Sequence, residues 1–227
     1  MSELIKLENI VKSYDGKRKI LDHLSLIVNK GECLAILGKS GAGKSTMLNL
    51  LGCLDADYEG TYSLNLGSSP ICISDRKRNF LKSQNRAALF SFVFQDGALL
   101  NYLDTEENVL LPLRLAKRKP DMEMVNVLFD ELGISELRHS FVGNLSGGEK
   151  QRVGIARALI SDVPIILADE PTGSLDYANV IPVVKLLKDA SKKRGKTVLV
   201  VTHNMDILNE FDRVVELKNG KIEPFSK

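Results

Sequence analysis

Residues 38–46, GKSGAGKST, carry the types and spacing of a phosphate cradle. Gly38, Gly43, Lys44 and Ser45 occupy the fixed positions of G-x-x-x-x-G-K-[ST], with Lys39, Ser40, Gly41, Ala42 and Thr46 filling the rest. Glycines let the backbone curl until successive N–H groups point inward, and a helix N-terminus behind them adds partial positive charge. In such a loop the Lys44 ammonium reaches the β- and γ-phosphates of a nucleoside triphosphate, and the Ser45 hydroxyl ligates Mg²⁺. The motif needs a buried strand before it and a helix after it. Cys33-Leu-Ala-Ile-Leu37 supplies the apolar run, and Met47-Leu-Asn-Leu-Leu-Gly52 reads as a helix start.

Other side chains fit the same chemistry. The apolar run 163–168 ends in Asp169 and Glu170. A carboxylate at the tip of a central strand beside a phosphate loop is placed to hold Mg²⁺ through water, and Glu170 next to it can act as general base on an attacking water. Gln95 directly follows the β-rich run Phe90-Ser-Phe-Val-Phe94, and His203 follows Thr197-Val-Leu-Val-Val-Thr202. A lone histidine is usually structural, but at the end of a core strand it could contact a γ-phosphate. Tyr14 closes the first strand-like run and is either a sheet-edge aromatic or a face that stacks on a purine. In the string 144–152, NLSGGEKQR, Ser146 and Glu149 have capping-box spacing ahead of a helix expected to reach about Ile160. With Gly147 and Gly148 beside it, that helix start is a second surface able to face phosphate.

The elements that must position these groups alternate between β and α. Residues 3–30 alternate polar and apolar, with Asp15-Gly16 as a turn signal, and predict an antiparallel sheet beside the phosphate-loop core. Residues 61–66 add another strand. The basic run 75–86, DRKRNFLKSQNR, reads as one helix with a solvated face. Between residues 97 and 142 the strand pattern fades. Thr105 is expected to cap a helix into Val109–Leu111 that Pro112 kinks or ends, and a second helix spans Asp121 to Leu132 with Gly133 at its C′ position. Ser174-Leu175-Asp176 turns into a helix through Lys192, and Asn219-Gly220 is the turn of a final hairpin. The expected fold class is α/β: a phosphate-loop core with a mixed central sheet, an N-terminal antiparallel β subdomain and an inserted helical subdomain. The expected organisation is one domain over 1–227, with core and β subdomain in 1–95 and 143–227 and the helical part in about 96–142.

Composition narrows the partners. The chain has 227 residues, with 31 Lys and Arg against 29 Asp and Glu. That near balance argues against a nucleic acid held by charge. Three cysteines, Cys33, Cys53 and Cys72, lack metal-ligand spacing and read as buried thiols of a reducing compartment. No apolar run approaches bilayer length, and the N-terminus is polar rather than a signal peptide. The expectation is a cytoplasmic protein whose membrane role requires a partner that supplies the spans.

Taken together these residues resemble the ATP-binding subunit of ABC transporters over essentially the whole chain. The resemblance rests on the Tyr14 aromatic loop, residues 38–46, Gln95, the signature of Leu145, Ser146, Gly147, Gly148 and Glu149, the strand end Asp169–Glu170, the D-loop Ser174–Leu175–Asp176, and His203. Leu51-Gly-Cys-Leu-Asp55, Phe92-Val-Phe-Gln95, Glu107-Asn-Val109 and Leu111-Pro-Leu113 look like the lipoprotein-release and macrolide-efflux type, which bacteriocin-export subunits resemble as well.

That resemblance implies an ATPase with ATP and Mg²⁺ as cofactors, the metal held by Ser45, Gln95 and Asp169. It implies a homodimer formed on ATP binding, in which the loop 38–46 of one copy faces the signature of the other across the nucleotide. Glu170 would polarise water, with His203 and Lys44 completing the catalytic set. A separate integral membrane permease would contact the region from Asp96 to Leu103, and an extracytoplasmic adaptor is allowed as a further partner. The location implied is peripheral, on the inner face of the cell membrane, without a fused membrane domain. The alternative of the same class is a non-transport ATPase driving a mechanical or signalling membrane protein, as in the cell-division type.

Overall fold

A computed structural model describes residues 2–67, 70–73 and 86–225. The expected helix over 75–86 lies outside the described residues except for Arg86. In chain order the strands are β1 (Glu3–Ser13), β2 (Lys19–Asn29), β3 (Cys33–Leu37), β4 (Glu59–Leu64), β5 (Ile71–Cys72), β6 (Phe90–Val93), β7 (Ile165–Asp169), β8 (Thr197–Thr202), β9 (Arg213–Lys218) and β10 (Lys221–Pro224). The helices are α1 (Lys44–Leu51), α2 (Thr105–Leu115), α3 (Met122–Glu131), α4 (Gly147–Ile160) and α5 (Tyr177–Arg194).

Five consecutive apolar residues make β3 a strand that must be covered on both faces, which is the signature of a parallel sheet. It lies inside a six-stranded sheet of order β10-β9-β3-β8-β7-β6, parallel except for the β9–β10 hairpin. Cys33, Ala35 and Leu37 point into a core formed with α2 to α5. Leu34 and Ile36 point the other way, into a core formed with α1 and the second sheet, β2-β1-β4-β5. That second sheet is antiparallel, as the alternation predicts.

Register carries the functional consequence. Leu37 pairs with Thr202, Asp169 with Val201, and Val93 with Ala168. Four parallel strands therefore end at one edge, and the residues that follow them are Gly38, His203, Glu170 and, two beyond Val93, Gln95. Helix α1 is pressed onto this sheet at its far end. Tyr62 of β4, fully buried, donates its hydroxyl to the Leu51 carbonyl at 2.6 Å. At Gly52 the helix meets β6 and β7 so closely that a Cβ would stand 2.1 Å from the Phe92 ring and 3.0 Å from Leu167.

Two expectations need correction, and a third, that Pro112 kinks or ends its helix, loses its second alternative. Helix α2 is capped by Asp104, not Thr105: Asp104 accepts from the Glu107 N–H at 2.8 Å and Glu107 accepts from the Asp104 N–H at 3.2 Å. The aspartate one residue earlier completes the reciprocal box, while Thr105 is buried and donates to the Ser140 carbonyl. Pro112 lies inside α2, which continues to Leu115. Of the cysteines only Cys33 is fully buried; Cys53 and Cys72 are half-buried, and all three are free. Helix α3 ends as expected: Gly133 and Ile134 donate back to Asp130 and Phe129 at 3.0 and 2.9 Å, the pair of bonds that closes a helix at a left-handed residue.

The Gly52 contact yields a test. Gly52→Ala should lower unfolding stability by about 1–3 kcal/mol, because the added methyl has to displace an aromatic ring in a packed core. Urea denaturation checks it, and an unchanged midpoint would mean that α1 does not seat against β6 as described.

Candidate active site

The loop after β3 folds back over its own lysine. Gly41 and Gly43 have φ of 76° and 98°, and a Cβ on Gly43 would stand 2.9 Å from an Ile20 methyl. Both the conformation and the space therefore require glycine at Gly43. It is also the N-cap of α1, so the first helical residue is Lys44. The Lys44 ammonium donates to the Gly38 carbonyl at 2.8 Å and the Lys39 carbonyl at 3.2 Å, and lies 3.3 Å from Glu170 Oε1. Lys44 and Glu170 are both buried. A buried ammonium and carboxylate are tolerated because each is paired and hydrogen-bonded.

Glu170 is held from several sides. Its N–H donates to the Val201 carbonyl at 3.0 Å, and its own carbonyl accepts from Gly173 at 3.0 Å. Its φ is +46°, a left-handed value that costs a side-chain-bearing residue energy and concentrates at functional sites. The turn aims the carboxylate sideways along the sheet edge. Oε1 lies 2.9 Å from His203 Nδ1, and Oε2 accepts from the His203 N–H at 3.3 Å. Asp169, the last residue of β7, accepts a hydrogen bond from the Ser45 hydroxyl. Burial pushes the Asp169 carboxyl above its ordinary range, and the Glu170 charge adds to that. The Ser45 bond and the Lys44 charge pull the other way without cancelling the rise.

These groups share one cleft of about 560 Å³. Lys39, Ser40, Gly41, Gly43, Lys44, Ser45, Thr46, Gln95, Asp169, Glu170 and His203 all line it. Ala42 lines the neighbouring cavity on the outer side of the loop, and Gly38 contributes through the carbonyl that holds Lys44. Tyr14 stands outside the cleft lining, 64% exposed, with its hydroxyl 3.4 Å from Thr46 Oγ1. The cleft thus joins a cationic loop at a helix N-terminus to carboxylates and an imidazole, with the Lys44 ammonium 3.3 Å from Glu170. That arrangement can bind a polyphosphate and place a base beside it.

The signature residues lie elsewhere. Ser146 caps α4 in a reciprocal box with Glu149, at 3.3 and 2.7 Å. None of residues 145–149 lines the cleft. Ser146 and Gly147 are exposed, whereas Leu145 is buried in the helical core. A Cβ on Gly148 would stand 3.1 Å from the Ser174 carbonyl, so the signature packs against residues 174–176, of which Leu175 lines an adjoining cavity with Glu170 and His203.

Two positioning groups gave no motif in the sequence. Arg157 of α4 donates to the Gly97 and Ala98 carbonyls at 2.7 and 2.8 Å. Asn108 of α2, fully buried, accepts from the Leu100 N–H at 2.8 Å and donates to the carbonyls of Leu100, Leu103 and Asp104. Arg157 thus fixes the start of the loop after Gln95 onto α4, and Asn108 fixes its far end onto α2. The only sequence signal was an Asn and an Arg on otherwise apolar helix faces.

Comparison with known proteins agrees with this geometry. Residues 21–173 match the family described as ABC transporter. The chain is 38% identical to the lipoprotein-releasing system ATP-binding protein LolD 1 of Rhodopseudomonas palustris, over 98% of this chain and 99% of that protein. It is 41% identical to the macrolide export ATP-binding/permease protein MacB of Campylobacter fetus subsp. fetus over 96% of this chain, and spans 34% of that longer protein. Among solved structures, the dimeric post-hydrolysis state of the ATP-binding cassette MJ0796 bound to ADP and Pi aligns with a TM-score of 0.85 and 35% identity, covering 99% of this chain and 98% of that one. With the family matched across both the phosphate loop and the Asp169–Glu170 strand end, this chain belongs to the ABC transporter family, as an ATP-binding component.

Proposed function

We propose that this protein hydrolyses ATP in the cleft at the carboxyl edge of its parallel sheet and couples that reaction to a membrane permease. The observation that carries the reading is the meeting of Lys44, Ser45, Gln95, Asp169, Glu170 and His203 in one cleft, from four separate strand ends. The Lys44 ammonium, now satisfied by its own loop carbonyls and Glu170, would exchange them for β- and γ-phosphate oxygens. Glu170 would then be free to take a proton from water, oriented by His203. Ser45, Asp169 and Gln95 offer only oxygen-type side chains to a metal, which suits Mg²⁺. A carboxyl whose charge the fold disfavours gains most from a divalent cation, so Asp169 fits that role. The metal would supply charge neutralisation at the phosphates.

The signature supports a two-copy site. Its helix N-terminus is well capped, exposed and outside its own cleft. A second copy placed head to tail would bring Ser146, Gly147 and Gly148 to the γ-phosphate, and the MJ0796 neighbour is itself dimeric. ATP bridging the two halves favours the closed dimer, and hydrolysis removes the bridge. Among the described residues no helix is long and apolar enough to cross a membrane. The spans would come from a permease docked near residues 96–103, where Tyr102 is 74% exposed. The relatives' names point to lipoprotein release or macrolide export as the substrate class, with the protein peripheral on the inner face of the membrane.

Three measurements test this. Lys44→Ala should abolish tight ATP binding, and ordinary affinity by calorimetry would remove the phosphate-loop reading. Glu170→Gln should bind ATP but release phosphate slower by on the order of 10²–10⁴; unchanged turnover would take Glu170 out of the base role. Affinity capture of that variant with ATP and Mg²⁺ from solubilised membranes should retrieve a permease with a large extracytoplasmic domain, whereas soluble partners alone would overturn the membrane assignment.

Asp169 gives a pH signature. A carboxyl held above its ordinary range is most favourable to folding when protonated, so its penalty is absent at low pH and grows as pH rises through its folded-state value. Nucleotide-free Asp169→Asn should therefore unfold at higher urea than the parent at pH 8, with the advantage closing towards pH 4, while losing the Mg²⁺-dependent gain in ATP affinity. Equal midpoints at both pH values would contradict it.

A further inference from the structure

Lys12 is a buried ammonium that the ATPase reading does not use. It sits on β1, and its side chain is only 3% exposed. Its three protons are taken by Asp55 Oδ1 at 3.0 Å, the Asp57 carbonyl at 2.6 Å and Asp57 Oδ2 at 3.2 Å. The cation is therefore saturated and is not available to a phosphate. Burial works against its charge, but the Asp55 and Asp57 bonds outweigh it and hold the pKa above the ordinary lysine value. The ammonium also lies 4.6 Å from the centre of the Tyr14 ring.

Tyr14 is the first residue beyond β1, which ends at Ser13, and the turn that begins there brings its ring against the Lys12 ammonium. Asp55 and Asp57 come from the turn after α1, and the Tyr14 hydroxyl lies 3.4 Å from Thr46 of α1 itself. The ring is thus held at its rim by the phosphate-loop helix and backed by a cation, with 64% of the residue open to solvent.

We propose that Lys12 is a positioning residue for the purine: it fixes the Tyr14 ring from behind and strengthens base stacking on the open face. This rests on the reading of Tyr14 as the purine platform. Two physical effects support it. A cation over one face draws π density towards itself, so the opposite face is less negative and repels the π face of a purine less. A ring already fixed in place also loses less freedom when the base lands on it. Both effects act on the base and not on the phosphates. The Lys12–Asp55–Asp57 cluster therefore contributes to affinity for a nucleotide without contributing to affinity for a bare polyphosphate chain.

The test is a double-mutant cycle on the full chain, read by calorimetry with ATP and with inorganic tripolyphosphate as the baseless probe. Lys12→Met should weaken ATP binding about three- to tenfold and leave tripolyphosphate binding unchanged. In a Tyr14→Ala background, itself weakened for ATP, the same change should have no further effect. Lys12→Arg, which keeps a cation between the aspartates and the ring, should retain most of the ATP preference and covers the case in which Lys12→Met does not fold. Unaltered ATP affinity in Lys12→Met would overturn the proposal. So would an equal loss for tripolyphosphate, a loss that persists without the Tyr14 ring, or an arginine variant that folds but behaves like methionine. Native ATP affinity in Tyr14→Ala alone would instead remove the stacking reading on which the proposal stands.

Discussion

The constraint on which the molecule depends is parallel register. A parallel sheet ends all its strands in the same direction, and the chain that leaves each strand must turn away at that edge. In β3, β6, β7 and β8 the turning residues are Gly38, Gln95, Glu170 and His203, supplied from positions up to 165 residues apart in the chain. A one-residue slip of β7 against β8 would swap Asp169 and Glu170 relative to His203, and would exchange the side chains that β7 gives to the two cores, so that Ile165 and Leu167 met the space now filled by Ile166 and Ala168. The packing of differently shaped side chains on the two faces thus sets the geometry of the cleft. The two cores on either side of β3 are what make the register unambiguous.

Stability and chemistry pull against each other at that edge. Glu170 occupies a left-handed backbone position, Lys44 is buried against its own loop carbonyls and Glu170, and Asp169 is kept where its charge is disfavoured. Each of these states costs folding energy in isolation. They are tolerated because they satisfy one another: Lys44 pairs Glu170, Glu170 pairs His203, and Ser45 bonds Asp169. Under the proposed function, a triphosphate with its cation completes the same network more fully than the side chains do alone. Ligand binding would then be driven partly by relief of this arrangement.

Much of this was legible in the sequence, for a physical reason. Motifs that work through backbone N–H groups and helix N-termini need small residues at fixed spacing, so residues 38–46 and 145–149 announce themselves. Runs of Val, Ile and Leu ending in Asp169–Glu170 and in His203 declare both strand and strand end. What stayed hidden were groups whose partners are distant in sequence. Arg157 reaches carbonyls 59 and 60 residues away, and Lys12 finds its aspartates 43 and 45 residues on. Such contacts leave no local pattern. The α2 boundary departs from expectation for a smaller reason: Asp104 and Thr105 are both good caps, and Glu107 decides between them, because it completes a box with only one of them.

Arg157 and Asn108 also bear on how the cleft could act at a distance. The loop after Gln95 touches α4 at its backbone, since a Cβ on Gly97 would stand 2.8 Å from the Lys150 carbonyl and one on Gly154 would stand 3.2 Å from Gly97. Arg157 bonds that loop to α4, and Asn108 bonds its far end to α2. Helix α4 is the same helix whose N-terminus is the signature. Under the proposed function, a change at Gln95 would pass to α4 through these hydrogen bonds and this backbone contact. In the proposed dimer, the group that senses one nucleotide and the surface that clamps the other would move as a single body. That is the mechanical requirement for two shared sites to close together.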